Sequence, residues 1–301
     1  MTNTSGQVSY DFAHLAPGNY TFKACHPDDS YYTYINTSGE FKIIIIAEDM
    51  KRGWDSPYDY QAKVVNQNGD PLEGVNVTFT VNGVTYNATT DSNGIAQLTT
   101  SKLDVGTYNI TTCENVTKEL TIVARIIENK DITKDFENKT QFKVRAIGDD
   151  GNPVGANEIV TIKINGVTYT LKTDKYGYAT LPIHLKPKSY TATSTYHKYT
   201  VKNKVTVKQT LKLVKKTVKV KKGKSLVLRA KLKWTNGKAI VGKKITFKFK
   251  GKKYVVKTNK KGIAKLTIKK SVTKKLKAGK SYKCSAKYIK ETATGKVKVK
   301  K

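Results

Sequence analysis

Self-similarity is the feature that most constrains what this chain can fold into. NGVTY occurs at 82–86 and again at 165–169, and KGKKY takes its place at 250–254, a spacing of about 84 residues. Upstream of each lies a turn and an alternating strand: NGDPLEGVNVTFTV (68–81), DGNPVGANEIVTIKI (150–164) and NGKAIVGKKITFKF (236–249). Downstream come TDSNGIAQL, TDKYGYATL and TNKKGIAKL, and then a late strand opened by Tyr108, Tyr190 or Tyr282.

Each piece has a physical meaning. Asn82–Gly83 and Asn165–Gly166 supply the two positive-φ residues of a tight hairpin turn. Gly94, Gly177 and Gly262 follow polar residues at turns that a Cβ would strain. Ile245, Phe247 and Phe249 share one face of a period-two strand. No segment shows helical periodicity. Short strands punctuated by turns, in units of this length, predict tandem immunoglobulin-like β-sandwich domains in a linear array, an all-β chain.

The expected units are 47–123 (repeat one), 124–208 (repeat two) and 209–301 (repeat three). Residues 1–46 match the back half of another unit: Gly6 corresponds to Gly94, and Tyr20 in PGNY to Tyr108 in VGTY. Half a sandwich cannot bury its own face. The expectation is that the chain begins inside a repeat, with a secretion signal upstream. The hydrophobic run IIII at 43–46 is read as a single buried strand, far short of a membrane helix. Cys25, Cys113 and Cys284 fall in different segments without a CxxC or Cys/His cluster, and are read as small, mostly buried thiols, with an intermolecular disulfide as the alternative.

The NGxPxxGxxVTF pattern, the NG hairpin and the TDxxGxAxL turn resemble bacterial-type Ig-like repeats of surface adhesins. The likeness is strongest to the tandem-repeat adhesin-like proteins of methanogenic archaea, which carry Lys-rich C-terminal repeats. Repeat three departs from the pattern at Ala239, in place of the turn proline, and at Lys250, in place of the hairpin asparagine. The resemblance implies an extracellular, wall-associated protein and brings no catalytic residues or cofactor.

Charge separates the repeats. Of 56 Lys and Arg and 23 Asp and Glu, residues 211–301 hold 34 and one, the one being Glu291. Residues 1–210 hold the remaining 22 and 22. The basic residues alternate with the apolar ones, so the core is intact and the charge projects outward from strands that belong to both sheets. Arg229, Lys231, Lys233, Lys244, Lys248, Lys250, Lys265, Lys269, Lys283, Lys287, Lys296 and Lys298 are the candidate polyanion-binding set. Lysine is a hydrated point charge without bidentate geometry. Arg229 is the one arginine of the domain, and Trp234, Phe247, Phe249, Tyr254, Tyr282 and Tyr288 mostly fall at core-facing positions. That composition suits a diffuse grip on an anionic cell-wall polymer or acidic polysaccharide better than on nucleic acid.

Sequons at Asn3, Asn19, Asn36, Asn76, Asn87, Asn109, Asn115 and Asn138 mark candidate N-glycosylation sites on the neutral region, and none follows Asn138. Other readings remain open. Trp54, Tyr58 and Tyr60 could form an exposed aromatic cluster for a lectin or receptor-binding module. The charge could serve a nucleic-acid-binding protein. Glu48, Asp49, Asp149 and Asp150 are weak candidates for calcium, lacking EF-type spacing. A Lys–Asn isopeptide in repeat three would have only Glu291 as its carboxylate. Four scattered histidines and the absence of a phosphate loop give no support to an enzyme, and no metal or cofactor is expected.

Overall fold

The computed structural model describes residues 7–9, 15–26, 35–113 and 116–300. A hairpin of β1 (Gly18–His26) and β2 (Ile35–Ala47) comes first. Repeat one holds β3 (Met50–Gly53), β4 (Tyr60–Asn66), β5 (Asn76–Val81), β6 (Val84–Thr89), β7 (Ile95–Leu98), β8 (Gly106–Thr112) and β9 (Val116–Val123). Repeat two holds β10 (Ile126–Ile127), β11 (Ile132–Asp135), β12 (Gln141–Ala146), β13 (Ile159–Ile164), β14 (Val167–Lys172), β15 (Tyr178–Pro182), β16 (Lys188–Tyr196) and β17 (Tyr199–Lys208). Repeat three holds β18 (Leu211–Leu213), β19 (Thr217–Lys221), β20 (Leu226–Leu232), β21 (Lys244–Phe249), β22 (Lys252–Lys257), β23 (Ile263–Ile268), helix α1 (Lys270–Lys274), β24 (Ser281–Tyr288) and β25 (Glu291–Lys300).

Repeats two and three are the same sandwich. A three-stranded sheet, β10-β12-β15 or β18-β20-β23, faces a five-stranded one, β11-β17-β16-β13-β14 or β19-β25-β24-β21-β22. The opening strand switches sheets: its first part pairs antiparallel in the small sheet, its second parallel to the last strand of the large one. Repeat one repeats the large sheet as β3-β9-β8-β5-β6. In its small sheet the role of β10 falls to the end of β2, where Ile45 faces Val64 as Ile126 faces Ala146.

That arrangement corrects three expectations. The partial unit does not end at residue 46 as a separate body, because β2 runs without interruption into the repeat-one sheet, and residues 43–47 belong to that sandwich. Of the IIII run only Ile43 is buried, while Ile46 is 45% exposed, since successive residues of a strand face opposite ways. A short helix, α1, also forms; the segment from Leu266 to Tyr282 is six residues longer than its counterpart from Leu98 to Tyr108, and the surplus coils. The Thr273 hydroxyl ties α1 to the Lys224 carbonyl at 2.7 Å.

The repeated turn is a three-part pin. Buried Thr90, Thr173 and Thr258 each donate to a carbonyl, of Leu72, Gly155 or Ile240, and accept from the amide of Val75, Glu158 or Lys243. The next residue, Asp91, Asp174 or Asn259, accepts two backbone amides with one oxygen. Glycine then passes under the small sheet: a Cβ on Gly94 would lie 2.5 Å from the Val64 carbonyl, and one on Gly262 2.4 Å from that of Leu232. The late tyrosines make tyrosine corners, Tyr108 donating to the Asp104 carbonyl and Tyr190 to that of Lys186, and Tyr20 likewise to Ala16. In repeat three the helix displaces that carbonyl, and the Tyr282 hydroxyl instead accepts from the Lys277 amide.

The two complete junctions differ. Between repeats one and two, buried Arg125 donates to the Trp54 and Ile147 carbonyls and to the Asp149 carboxylate, and Trp54 packs edge-on against Tyr199. Between repeats two and three, one continuous apolar cluster crosses the boundary, with Phe136 edge-on to Tyr288. Glu291, 2% exposed, caps that contact by accepting the Thr210 amide and hydroxyl, both at 2.6 Å, and the Leu211 amide at 3.2 Å. With both oxygens occupied by backbone and hydroxyl donors, Glu291 is a junction residue rather than the partner of an isopeptide.

Candidate polyanion-binding surface

Because the pleat alternates, every second side chain of repeat three leaves the core, and the lysines take these outward positions, with serine and threonine among them. The candidate set divides between opposite faces. Arg229 and Lys231 on β20 and Lys265 on β23 project from the small sheet. Lys244 and Lys248 on β21, Lys283 and Lys287 on β24, and Lys296 and Lys298 on β25 project from the large one. Lys250 sits in the hairpin turn and Lys269 just before α1, both exposed. Lys233 departs from expectation: it is half-buried, with its amide donated to the Thr210 carbonyl at the junction.

Register adds cations that the sequence reading had not gathered. Lys244 stands opposite Lys257, Lys248 opposite Lys253, Lys283 opposite Lys296, Lys219 opposite Lys298 and Lys221 opposite Lys300. On the small sheet Arg229 stands opposite Lys265 and Lys212 opposite Lys231. The hairpin turn at Lys250–Gly251 would have placed Lys253 and Lys257, since a two-residue loop fixes register. The parallel pairing of β19 with β25 carried no such signal. Facing like charges destabilise a sheet by roughly 0.2–1 kcal/mol per pair. Neighbouring strand side chains lie within the ~8 Å screening length of physiological salt. Among the described residues no salt bridge involves repeat three, and its one carboxylate, Glu291, is held at the junction. Burial pushes that carboxyl above its usual value, against the hydrogen bonds from Thr210 and Leu211 that pull it down.

The large sheet also carries an open groove of about 950 Å³ near the Lys250–Gly251 turn. Lys248, Lys250, Lys283 and Lys296 line it together with Tyr282, Ser285 and Thr294. The Lys250 ammonium lies 5.0 Å from the centre of the Tyr282 ring.

In the neutral repeats, Asn76, Asn87 and Asn109 are exposed on β5, β6 and β8, and their register sets all three on the outer face of the large sheet of repeat one. Asn19 is exposed on β1. Asn138 is half-buried, its side-chain oxygen accepting the amide and hydroxyl of Thr140. Asn3, Asn115 and the side chain of Asn36 lie outside the described residues, as does Gly6.

The aromatic cluster does not assemble. Trp54 is half-buried against Tyr199, Tyr60 is 1% exposed in the core, and only Tyr58 faces solvent. Burial pushes the Tyr60 hydroxyl up to about 12. Three of the four carboxylates weighed for calcium are otherwise engaged: Asp49 accepts the Glu119 amide, Asp149 pairs with Arg125 and Asp150 accepts the Asn152 amide. No three His, Cys, Asp or Glu side chains among the described residues come together as a metal site. The thiols are not uniformly buried: Cys284 is, Cys113 is half-buried and Cys25 is exposed.

Besides Arg125 at the junction, two buried cations were not foreseen. Arg52 donates to the Ser56, Tyr58 and Thr100 carbonyls at 2.8 Å, and Lys134, at the same place in repeat two, to that of Ile183. Burial lowers the pKa of both. Repeat three has Val220 there, so its core holds no cation at that position.

A family model described as macroglobulin domain MG4 matches residues 51–123. No curated protein matches the sequence. Among solved structures, the I9–I11 tandem from titin is similar over 86% of this chain and 99% of its own, at 13% identity and a TM-score of 0.40. A Ca2+-stabilised adhesin with which an Antarctic bacterium binds ice is similar over 93% and 81%, at 17% identity and a TM-score of 0.23. The Bacteroides ovatus protein SGBP-B of a mixed-linkage glucan utilization locus, in complex with a heptasaccharide, is similar over 84% and 66%, at 11% identity and 0.22. On its own strand order, this chain is a tandem array of immunoglobulin-like β-sandwiches.

Proposed function

We propose that this is a non-enzymatic, extracellular adhesin-like protein of the kind found in methanogenic archaea, whose third repeat grips an anionic cell-wall polymer. The neutral repeats would act as a sequon-bearing spacer. The observation that carries this reading is the avoidance of acid where acid would help. At the repeated turn, repeat three uses Asn259 where the others use Asp91 and Asp174, with the same two amides bound. A carboxylate there would have relieved the lysine repulsion without altering the turn. Uncompensated charge costs stability and attracts polyanions, and release of their counterions supplies the affinity.

The test is co-sedimentation of the whole chain with purified cell walls across a salt series, with duplex DNA as competitor. The comparison is a variant with the facing pairs Lys244/Lys257, Lys248/Lys253 and Lys283/Lys296 changed to glutamine. Binding that falls steeply with salt, survives DNA and is lost in the variant is the expected result. Preferential capture by DNA, or binding unchanged in the variant, would overturn the reading.

A further inference from the structure

Within that charged surface, hydroxyls stand among the lysines in a defined pattern. Lys248, Ser285 and Thr294 form one row across β21, β24 and β25; Lys283, Lys296 and Thr217 form the next, across β24, β25 and β19. Ser285 and Thr294 correspond to Thr111 and Thr117 of repeat one, since Tyr282 faces Val297 as Tyr108 faces Leu120. In repeat one those two hydroxyls bond each other at 2.9 Å. In repeat three no hydrogen bond joins them, although they are neighbours in register. Their bonding capacity is turned toward the groove.

Further differences between the repeats shape this place. The cations Lys248, Lys250, Lys283 and Lys296 stand where repeat one has Thr80, Asn82, Asn109 and Glu119, and repeat two Lys163, Asn165, Thr191 and Lys204. Gly295 stands where they have Lys118 and Asn203, and Asn203 fills its site by bonding the Asn129 carbonyl at 2.7 Å. Glycine lets the chain leading into β19 close in: a Cβ there would sit 2.6 Å from the Lys216 carbonyl and 2.7 Å from the Leu213 side chain. Lys250 holds a left-handed φ of 48°, in a turn where asparagine is the easier residue, and thereby keeps its ammonium at the groove.

We infer that this groove is a discrete subsite for one oxyanion group of a linear polymer, the ammonium groups of Lys248, Lys283 and Lys296 neutralising it and the hydroxyls of Ser285 and Thr294 orienting it. The inference rests on the wall-binding reading and narrows it, from a charged domain to a place on it. Lysines alone do not distinguish one oxyanion from another, because an ammonium is a point charge. Fixed hydroxyl donors do, because hydrogen bonds impose direction. Phosphate, sulfate and carboxylate carriers are therefore to be separated by experiment.

The whole chain would be titrated by calorimetry with short polyphosphate, dextran sulfate and oligogalacturonate of matched charge, with uncharged dextran as control. Three variants are compared: Lys248→Gln/Lys283→Gln/Lys296→Gln in the groove, Arg229→Gln/Lys231→Gln/Lys265→Gln on the opposite sheet, and Ser285→Ala/Thr294→Val. Both triples remove the same charge from exposed positions, and each relieves a facing like-charge pair, so neither threatens the fold. The groove triple should weaken binding about tenfold and the opposite triple about threefold or less, given that each phosphate-type contact carries its own share of affinity. The hydroxyl double should lose about three- to tenfold, with the salt slope unchanged. One of the three polymers should bind clearly tighter than the other two. Equal losses in the two triples, an unaffected hydroxyl double, or equal binding of all three polymers would overturn the subsite while leaving the electrostatic reading intact. Failure of the parent protein to bind any polyanion would overturn both.

Discussion

Repeats one and three are one sandwich with two surfaces. Phe79 faces Tyr86 as Phe247 faces Tyr254, and Thr90 and Thr258 make equivalent bonds in equivalent turns. Charge is where the outward positions diverge: Asn76, Thr80 and Asn109 in repeat one become Lys244, Lys248 and Lys283 in repeat three. Both of those asparagines, Asn76 and Asn109, head sequons that repeat three lacks. The difference teaches that the inward set and the turn pins suffice to specify this fold. The outer face is left free to be coated or charged.

If so, damage to the shared pin should cost both repeats alike. Gly94→Ala and Gly262→Ala combine a positive φ with a Cβ within 2.5 Å of a carbonyl, and each should destabilise its own repeat by about 3 kcal/mol or more. Gly177→Ala, where the nearest carbonyl is at 2.9 Å, should cost less. Urea titrations can separate the repeats, because Trp54 and Trp234 are the only tryptophans. Trp54→Phe leaves a reporter in repeat three, and Trp234→Phe one in repeat one. A large loss at one glycine and little at the other would show that the two scaffolds are not equivalent.

The surfaces should respond unequally to salt. Raising NaCl from about 10 mM to 0.5 M shortens the screening length to a few ångströms and should stabilise repeat three by ~2–3 kcal/mol, the sum of its facing pairs. Its transition should rise by roughly 10 °C, while that of repeat one moves little. A repeat three indifferent to salt would mean that its lysines hold one another apart too well to repel.

Much of this was legible in the sequence, because period-two alternation and glycine turns are local signals. NGVTY, the Thr-Asx pin and the late tyrosines placed strands and turns before any coordinates. What sequence could not show is relational. The twelve candidate cations read as spread over strands of both sheets, but which of them share a face, Arg229 with Lys265 and Lys283 with Lys296, follows only from register. Trp54 read as exposed because its partner, Tyr199, lies well over one full repeat away in sequence and docks only when two domains stack. Glu291 read as a lone oddity in a basic domain for the same reason: its donors at Thr210 and Leu211 are strand-opening residues brought to it by the fold.

Glu291 also makes the acid responses of the two repeats differ. Repeat one carries many carboxylates, whereas repeat three has this one. Burial raises its folded pKa above the unfolded value, so the protonated form is favoured in the native state. The corresponding stability is full below the unfolded pKa of about 4.3 and is lost as pH rises through the folded value. Repeat three should therefore show a single acid step, stabilising as pH falls, that vanishes in Glu291→Gln when Trp234 fluorescence follows unfolding. A step that persists in the variant would place the titrating group elsewhere.

The smallest expected effect bears most directly on why the surfaces differ. Asn82, Asn165 and Lys250 occupy one left-handed turn position, with φ of 53°, 52° and 48°. Asparagine tolerates that region and lysine does so less well, so Lys250→Asn should stabilise repeat three by about 0.5–1 kcal/mol. It also removes a cation from the groove and from the Tyr282 ring, so the same substitution should weaken oxyanion binding. Asn82→Lys in repeat one should cost stability by a similar amount and confer no binding, because Thr80 and Asn109 supply no charge beside it. A fold that gains stability where it loses ligand would mark Lys250 as kept for binding at the expense of the turn. Stability and binding lost together would instead make Lys250 a structural residue, and the contrast between the two surfaces would be correspondingly smaller.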